Sequence, residues 1–387
     1  MKIFRWFMLI IFIPIVFFNL YIVFTGKWFI YRALRYNLVN IDDYKLFPNK
    51  TIPKSTNPQP WAIGKDFNTY TLSDTLQKTH AKLKSVAFLV IQNDSIRVEK
   101  YWNGYGQNSL SNSFSMAKSV VNMLIGIAIK EGKIISVDQP VGNFLPEFAQ
   151  GDKSRITIKH LLMMSSGLDW DESRSYKNLV SVFFSDIMEG YYGNNLYKLS
   201  TSTQAAEAPG VYFDYKSGDT QLLSFVIEKA TGKCVSEYFG EKLWQPLGAE
   251  NDALWCLDDK GKEKAFCCIN SNARDFAKLG KLMLNKGWYN GMQILDTNYI
   301  KSSTTPNRLI DKYFPENKTD YYGYQTWVIP NYKGQNIIYL RGTLGQLIII
   351  IPEKKIIIVR LGENQGDRIG NHYAQTLLYI DEVNKMF

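Results

Sequence analysis

The chain has 387 residues, enough for one large domain or two interleaved ones, and its composition, 45% hydrophobic and 21% charged, is that of a globular rather than a disordered protein. A formal net charge of +9 is spread along the sequence without a Lys/Arg block, which argues against nucleic acid as a partner.

Trp6 to Phe24 carry no charge and just reach the length that spans a bilayer. Lys2 and Arg5 precede the stretch and no small-x-small cleavage site follows it. Residues 1–26 therefore read as an uncleaved, single-pass membrane anchor, with flanking charges too balanced to set its orientation. Residues 27–75, broken by Pro48, Pro53, Pro58 and Pro60, read as an extended lead-in to a domain over 76–387. Val86–Ile91 and Ile96–Tyr101 flank Gln92-Asn93-Asp94-Ser95, a hairpin pattern.

From 115 to about 290 the periodicity is helical. Met116 to Lys130 repeats apolar residues every three or four positions and is closed by Gly132. Further helices are predicted over 156–164, from about Asp219 to Gly232, and from a Ser271 cap to Gly287. Strands return at Ile337–Leu340, Leu347–Ile351 and Ile356–Leu361, and a helix over 369–385 closes the chain. Early and late strands around a helical middle predict an α+β fold. An antiparallel sheet is built from both ends of the chain and flanked by helices, with a helical lobe at about 115–290 inserted.

The chemistry centres on Ser115-Met116-Ala117-Lys118, the sequence's one Ser-x-x-Lys, at the start of its most apolar helix outside the N-terminal stretch. Residues three apart are neighbours on a helix, so the lysine amine can reach the serine hydroxyl. A hydroxyl attacks only when a base takes its proton, and burial beside a positive dipole end favours an amine in its neutral, basic form. The same helix start offers free N–H groups to an oxyanion. Competing systems lack their signatures. There is no Gly-x-Ser-x-Gly elbow, no His-Glu-x-x-His and no Cys-x-x-Cys, so no metal or cofactor is expected. His160, in an apolar helical segment, reads as structural. Cys234, Cys256, Cys267 and Cys268 read as unpaired, the adjacent pair being poor disulfide geometry.

A second box, Pro209-Gly210-Val211-Tyr212-Phe213-Asp214-Tyr215-Lys216-Ser217-Gly218-Asp219, places Tyr215 on a loop before a helix. A phenol beside a lysine can act as general base and acid. Tyrosine is common here, at 24 copies, so it is the box that singles out Tyr215.

Ser115–Lys118, Ile156-Thr157-Ile158-Lys159-His160-Leu161-Leu162-Met163-Met164-Ser165-Ser166-Gly167-Leu168, the Tyr215 box and Arg341-Gly342-Thr343-Leu344-Gly345-Gln346 follow one another in an order that resembles the serine β-lactamase and penicillin-binding superfamily. The likeness runs over about 75–365 and is to the class C-like branch, with esterases, D-aminopeptidases and, closest in look, 6-aminohexanoate-dimer hydrolases. It implies an acyl-enzyme hydrolase of amides or esters with Ser115 as nucleophile and Lys118 and Tyr215 as the proton-transfer pair. The oxyanion hole would use the serine's own N–H and one from a late strand, with Ser217, Arg341, Gly342, Thr343 and Gly345 as candidate substrate or oxyanion contacts. Arg341-Gly342-Thr343 stands where the family often has Lys-Thr-Gly or His-x-Gly, and Ser217 where class C has Asn; both weigh against β-lactam turnover. The expected partner is a small-molecule or peptide-like substrate, with a DD-peptidase, a β-lactamase or a silent peptidoglycan-ligand-binding relative as alternatives. The anchor and the family together imply the bacterial inner membrane, with the catalytic domain on the periplasmic side.

Overall fold

The computed structural model describes residues 2–36, 39–172 and 182–387, with side chains from residue 12 onward. Its centre is a seven-stranded sheet of β1 (Ala62–Ile63), β2 (Ser85–Gln92), β3 (Ser95–Tyr101), β4 (Trp327–Tyr332), β5 (Gln335–Gly342), β6 (Gln346–Ile351) and β7 (Ile356–Gly362). The spatial order is β4-β5-β6-β7-β2-β3-β1, antiparallel throughout except for the short β1–β3 edge pair. The sheet is thus built from both ends of the chain, as the pattern predicts, and the ends meet where β2 pairs with β7.

Both middle strands are almost wholly buried, which is why they read as continuous apolar runs rather than alternating ones. The period of two survives as a choice between two cores. On β6, Ile348 and Ile350 join the core that contains α1 (Met116–Lys130), α2 (Ser217–Thr231) and α3 (Ala273–Leu284). Leu347, Ile349 and Ile351 face a second core under α4 (Ala374–Met386) and the helix Asp74–Lys82. Asn93 and Asp94 both take left-handed φ, 49° and 61°, as a tight hairpin turn requires.

Several boundaries differ from the sequence expectation. The cap of α3 is Asn272, whose Oδ1 accepts from Asp275 N at 2.9 Å, because Ser271 belongs to the strand Ile269–Ser271. The closing helix starts at Ala374 rather than 369, since Arg368–Ile369 pairs with His372–Tyr373. Edge strand β4 went unpredicted; its Pro330 reads as a breaker, but an edge strand tolerates a proline. Residues 27–75 are not merely extended. They contain the helix Phe29–Tyr36 and the strand Asn49–Ile52, which pairs with Ala253–Cys256 in a second sheet.

The N-terminal segment departs most from expectation. It is a helix over Lys2–Thr25, yet among the described residues no helix is long and apolar enough to cross a membrane. The expected anchor, and with it the single-pass inner-membrane location and periplasmic orientation, is overturned by that finding. The helix's contacts with the rest of the protein lie in its second half. Ile22 is fully buried in the protein core, Tyr21 meets Phe184 edge-on at 5.8 Å, and Tyr31 donates to the Asn19 side chain. Ile22 alone of residues 12–25 is buried, while Phe12, Ile15, Phe17, Val23 and Phe24 are among the side chains that remain exposed.

Candidate active site

Ser115 is the one residue of 111–118 with appreciable exposure. The chain reaches it through a pinned bend, in which Ser113 N donates to Ile269 O at 2.7 Å, Ile269 N to Ser113 Oγ at 3.2 Å, and Phe114 N to Asn112 Oδ1 at 2.8 Å. Phe114 is held there at a φ of 43°, a conformation that side-chain-bearing residues rarely adopt. The bend sets Ser115 at the N-terminal end of α1, whose first N–H groups, those of Met116, Ala117 and Lys118, donate to the carbonyls of Ser113, Phe114 and Ser115.

Lys118, one turn on and 1% exposed, has its Nζ 2.9 Å from Ser115 Oγ and 3.0 Å from the Phe266 carbonyl oxygen. The Tyr215 and Phe266 rings wall the amine, with centres 5.0 Å and 5.7 Å from Nζ. The carbonyl fixes the amine in place, and the hydroxyl lies within proton-transfer distance.

Tyr215 is aimed by its neighbours. Asp214 and Lys216 are both buried and paired, Oδ2 to Nζ at 3.1 Å, and Lys216 Nζ also donates to Leu168 O at 2.5 Å. Asp214 N donates to Met164 O at 2.8 Å. Successive side chains of an extended segment point to opposite sides, so burial of both neighbours turns Tyr215 the other way, to Lys118. Tyr322 and Trp327 flank its ring at 6.0 Å and 5.8 Å. Behind the turn, Asp219 is fully buried and accepts from Ser166 Oγ at 2.6 Å; burial pushes its carboxyl up to about 7, against the pull of Lys216. The Ser165-Ser166-Gly167 motif thus supports the tyrosine box from beneath.

The remaining candidates divide. Ser217 opens α2, but its Oγ donates to Glu172 Oε1 at 2.6 Å and its N to Glu172 Oε2 at 2.7 Å. Its hydroxyl is committed to a carboxylate at a helix start, which sequence reading does not find because the partners are 45 residues apart. Gly342 packs on the nucleophile's approach, since a Cβ there would lie 2.2 Å from Ser113 O and 3.2 Å from Phe114 Cβ. Thr343 is exposed and Gly345 buried in the short turn that follows. Arg341 lies over the Trp327 ring, 3.3 Å from its centre, is 4.9 Å from the centre of the Tyr373 ring, and donates to Asn371 O at 3.0 Å. It therefore belongs to the aromatic wall that reaches Tyr215 through Trp327. Part of the loop 168–204, from which pocket walls are expected, lies at 173–181, outside the described residues.

Two expectations about isolated residues come out differently. His160 is structural as expected: its Nδ1 accepts from Thr157 N at 3.1 Å within a capping box. The cysteines are not all unpaired, because Cys267 and Cys268 form a disulfide, leaving Cys234 and Cys256 free. The turn accommodates it with a left-handed φ of 75° at Cys268 and with Cys267 N bonded to Lys264 O. That turn also carries Phe266, whose carbonyl holds Lys118; a backbone contact of this kind has no side-chain signature.

A Ser-x-x-Lys at a buried helix start, faced by a tyrosine and by the end of an antiparallel sheet, defines an architecture shared by penicillin-recognising enzymes and their relatives. The Beta-lactamase family model matches residues 72–376, and the chain belongs to that family. It is 27% identical over 289 residues, 71% of each chain, to the 6-aminohexanoate-dimer hydrolase of Paenarthrobacter ureafaciens. It is 24% identical over 294 residues, 70% of this chain and 68% of the other, to the teichoic acid D-alanine hydrolase of Staphylococcus aureus. In fold it is similar to a Bacillus anthracis protein assigned as a 6-aminohexanoate-dimer hydrolase, with a TM-score of 0.74, 22% identity and coverage of 90% and 92% of the two chains. These relatives are hydrolases.

Proposed function

We propose that the protein hydrolyses an amide or ester of a small or peptide-like substrate through an acyl-enzyme on Ser115. The observation that carries the reading is the 2.9 Å contact between Lys118 Nζ and Ser115 Oγ at a helix start, with Tyr215 against the amine. Ser115 Oγ attacks the carbonyl carbon as its proton passes to the Lys118–Tyr215 pair. The carbonyl oxygen becomes an oxyanion held by the Ser115 N–H and by an amide of the turn after β5. As the bond to the leaving group breaks, the pair returns the proton to it. Water then attacks the acyl ester, gives a proton to the same pair, and Ser115 is restored with release of the acid. The two curated relatives quoted act, by their names, on an amide dimer and on D-alanine carried by teichoic acid, and both fall in this substrate class.

The test is mass spectrometry after incubation with a fluorophosphonate and, separately, with a penicillin. The fluorophosphonate is expected to modify Ser115, and the label to disappear in Ser115→Ala. A label that persists undiminished in that variant would sink the assignment. Stable acylation by penicillin would favour the DD-peptidase alternative, and rapid penicillin turnover a β-lactamase. Absence of any label would favour the silent relative.

A further inference from the structure

Arg360, in β7, is fully buried among carbonyl groups. Its Nη1 donates to Leu344 O at 2.8 Å and to Gly345 O at 3.0 Å, its Nη2 to Leu83 O at 2.5 Å, and its Nε to Ser85 Oγ at 2.9 Å. None of these partners is a carboxylate. Burying a cation among dipoles alone is expensive, and an apolar side chain at this place would avoid the cost. The surroundings are cut to admit it: a Cβ on Gly345 would lie 2.7 Å from Nη1, and one on Gly362 would lie 2.3 Å from Nη2. His80, which shares Ser85 Oγ at 2.9 Å through Nδ1, adds no second charge, because burial and the guanidinium hold its pKa down at about 3.

The turn that Arg360 grips is the one whose amide the proposed mechanism requires. Three successive carbonyls are held from inside the sheet, Thr343 O by Gln346 Nε2 at 3.2 Å and the next two by Arg360. Gln346 is itself fixed to Gly362 by bonds of 2.6 Å and 3.0 Å. All peptide bonds here are trans, so each inward carbonyl turns the following N–H outward. The outward N–H groups of Leu344 and Gly345 thus leave the turn beside Gly342, which touches Ser113 and Phe114. Leu344 is held in the left-handed region, at a φ of 61° and ψ of 15°, which a side-chain-bearing residue keeps only under restraint.

We propose that Arg360 is a positioning residue for the oxyanion hole, clamping the Leu344 and Gly345 carbonyls so that the amides of this turn face the reacting oxygen. The inference rests on the Ser115 acyl-enzyme reading. It is tested with diethyl 4-nitrophenyl phosphate and its P=S counterpart, following the rate of Ser115 modification by mass spectrometry. Sulfur is a poor acceptor, so a working oxyanion hole makes the oxygen reagent the faster of the two. Arg360→Gln and the more conservative Arg360→Lys are expected to reduce the oxygen-over-sulfur rate ratio by about tenfold or more, a part of the 10²- to 10³-fold worth of one oxyanion donor. Gln346→Leu, which removes the bonds to the Thr343 carbonyl and to Gly362 but leaves Arg360 on the Leu344 and Gly345 carbonyls, is expected to give a smaller reduction and stands in should both arginine variants fail to fold. Tyr215→Phe, which alters proton transfer, is expected to slow both reagents and leave the ratio unchanged. If the Arg360 variants slow both reagents equally, the residue is merely structural and the inference is overturned while the nucleophile assignment stands. If wild-type Ser115 reacts with neither reagent, the nucleophile assignment itself falls.

Discussion

Lys118 and Tyr215 are in contact, and contact predicts how their mutants combine. If both move the same proton, Tyr215→Phe should lower kcat by about 10²- to 10⁴-fold with little change in KM, and Lys118→Ala by at least as much. The double variant should then be little worse than the worse single one, because groups that act as a unit are not additive. Independent, multiplying losses would assign the two residues separate roles, and steady-state kinetics on any ester the enzyme accepts decides it. Much of this pair was legible in the sequence. Ser115 and Lys118 are three apart on one helix, and Tyr215 sits in a turn box whose flanking residues alternate. Phe266, Glu172 and Arg360 were not legible, since each acts through a backbone group or through a partner remote in sequence, where spacing carries no signal. Ser217 shows the opposite failure, a motif position whose hydroxyl the fold had already occupied.

At the scale of elements, β5 meets the bend that leads into α1 at Gly342, with no room for a methyl group. A Cβ 2.2 Å from Ser113 O demands movement of backbone rather than of a flexible tip. Gly342→Ala is therefore expected to cost about 1–3 kcal/mol, the usual penalty of overpacking, measurable by urea unfolding. Its larger effect should be on Ser115 labelling, because the displaced Ser113–Phe114 bend is what presents the nucleophile; a variant destabilised by that amount yet labelled at the wild-type rate would refute this coupling. The hairpin and the helices α1, α2 and α3 were readable from period and caps, to within a few residues, whereas shorter helices such as Asp74–Lys82, Asp186–Tyr192 and Thr297–Ser303 were not. The strand Asn49–Ile52 and β4 were not, because short segments take their conformation from a tertiary partner more than from their own residues. The N-terminal stretch was misread because its nineteen uncharged residues only just reach the length of a span, so the run alone could not decide.

Across the whole molecule, buried imidazoles cost stability in acid and buried carboxyls cost it as pH rises. His80 is held down at about 3 and His372 at about 4, both chiefly by burial, with a smaller push from Arg360 and Arg341 respectively. Unfolded histidines take a proton near pH 6.5 while these two do not, so stability is lost as pH falls from about 6.5 to about 4. Asp219 acts in the opposite sense: its raised pKa means stability that is present in acid and lost as pH rises from about 3.8 to about 7. His160, also held down by burial, acts with these two, while Asp43, Asp186 and Glu189, raised by burial, act with Asp219, so the sign is read residue by residue from the change a single variant makes in the Tm difference between pH 4.5 and pH 7. Asp219→Asn, which removes the opposing gain, should fall more steeply over that range; a shallower fall would show that the buried carboxyl is ionised throughout.

The pairing of β2 with β7 also sets an order in time. Gln92 lies opposite Ile356 and Ala87 opposite Leu361, so the middle of the sheet waits for nearly the whole chain to be synthesised. Until then the hairpin of β2 and β3 presents an unpaired apolar edge, the kind that associates with other chains. The helices, whose backbone hydrogen bonds are local, need no such wait. In pulsed hydrogen exchange during refolding, amides of α1 should gain protection before those of the β2–β7 ladder. Chains ending before residue 355 should leave β2 without its partner and collect in the insoluble fraction. Simultaneous protection of helix and ladder would mean instead that the two ends find each other before the lobe between them has formed.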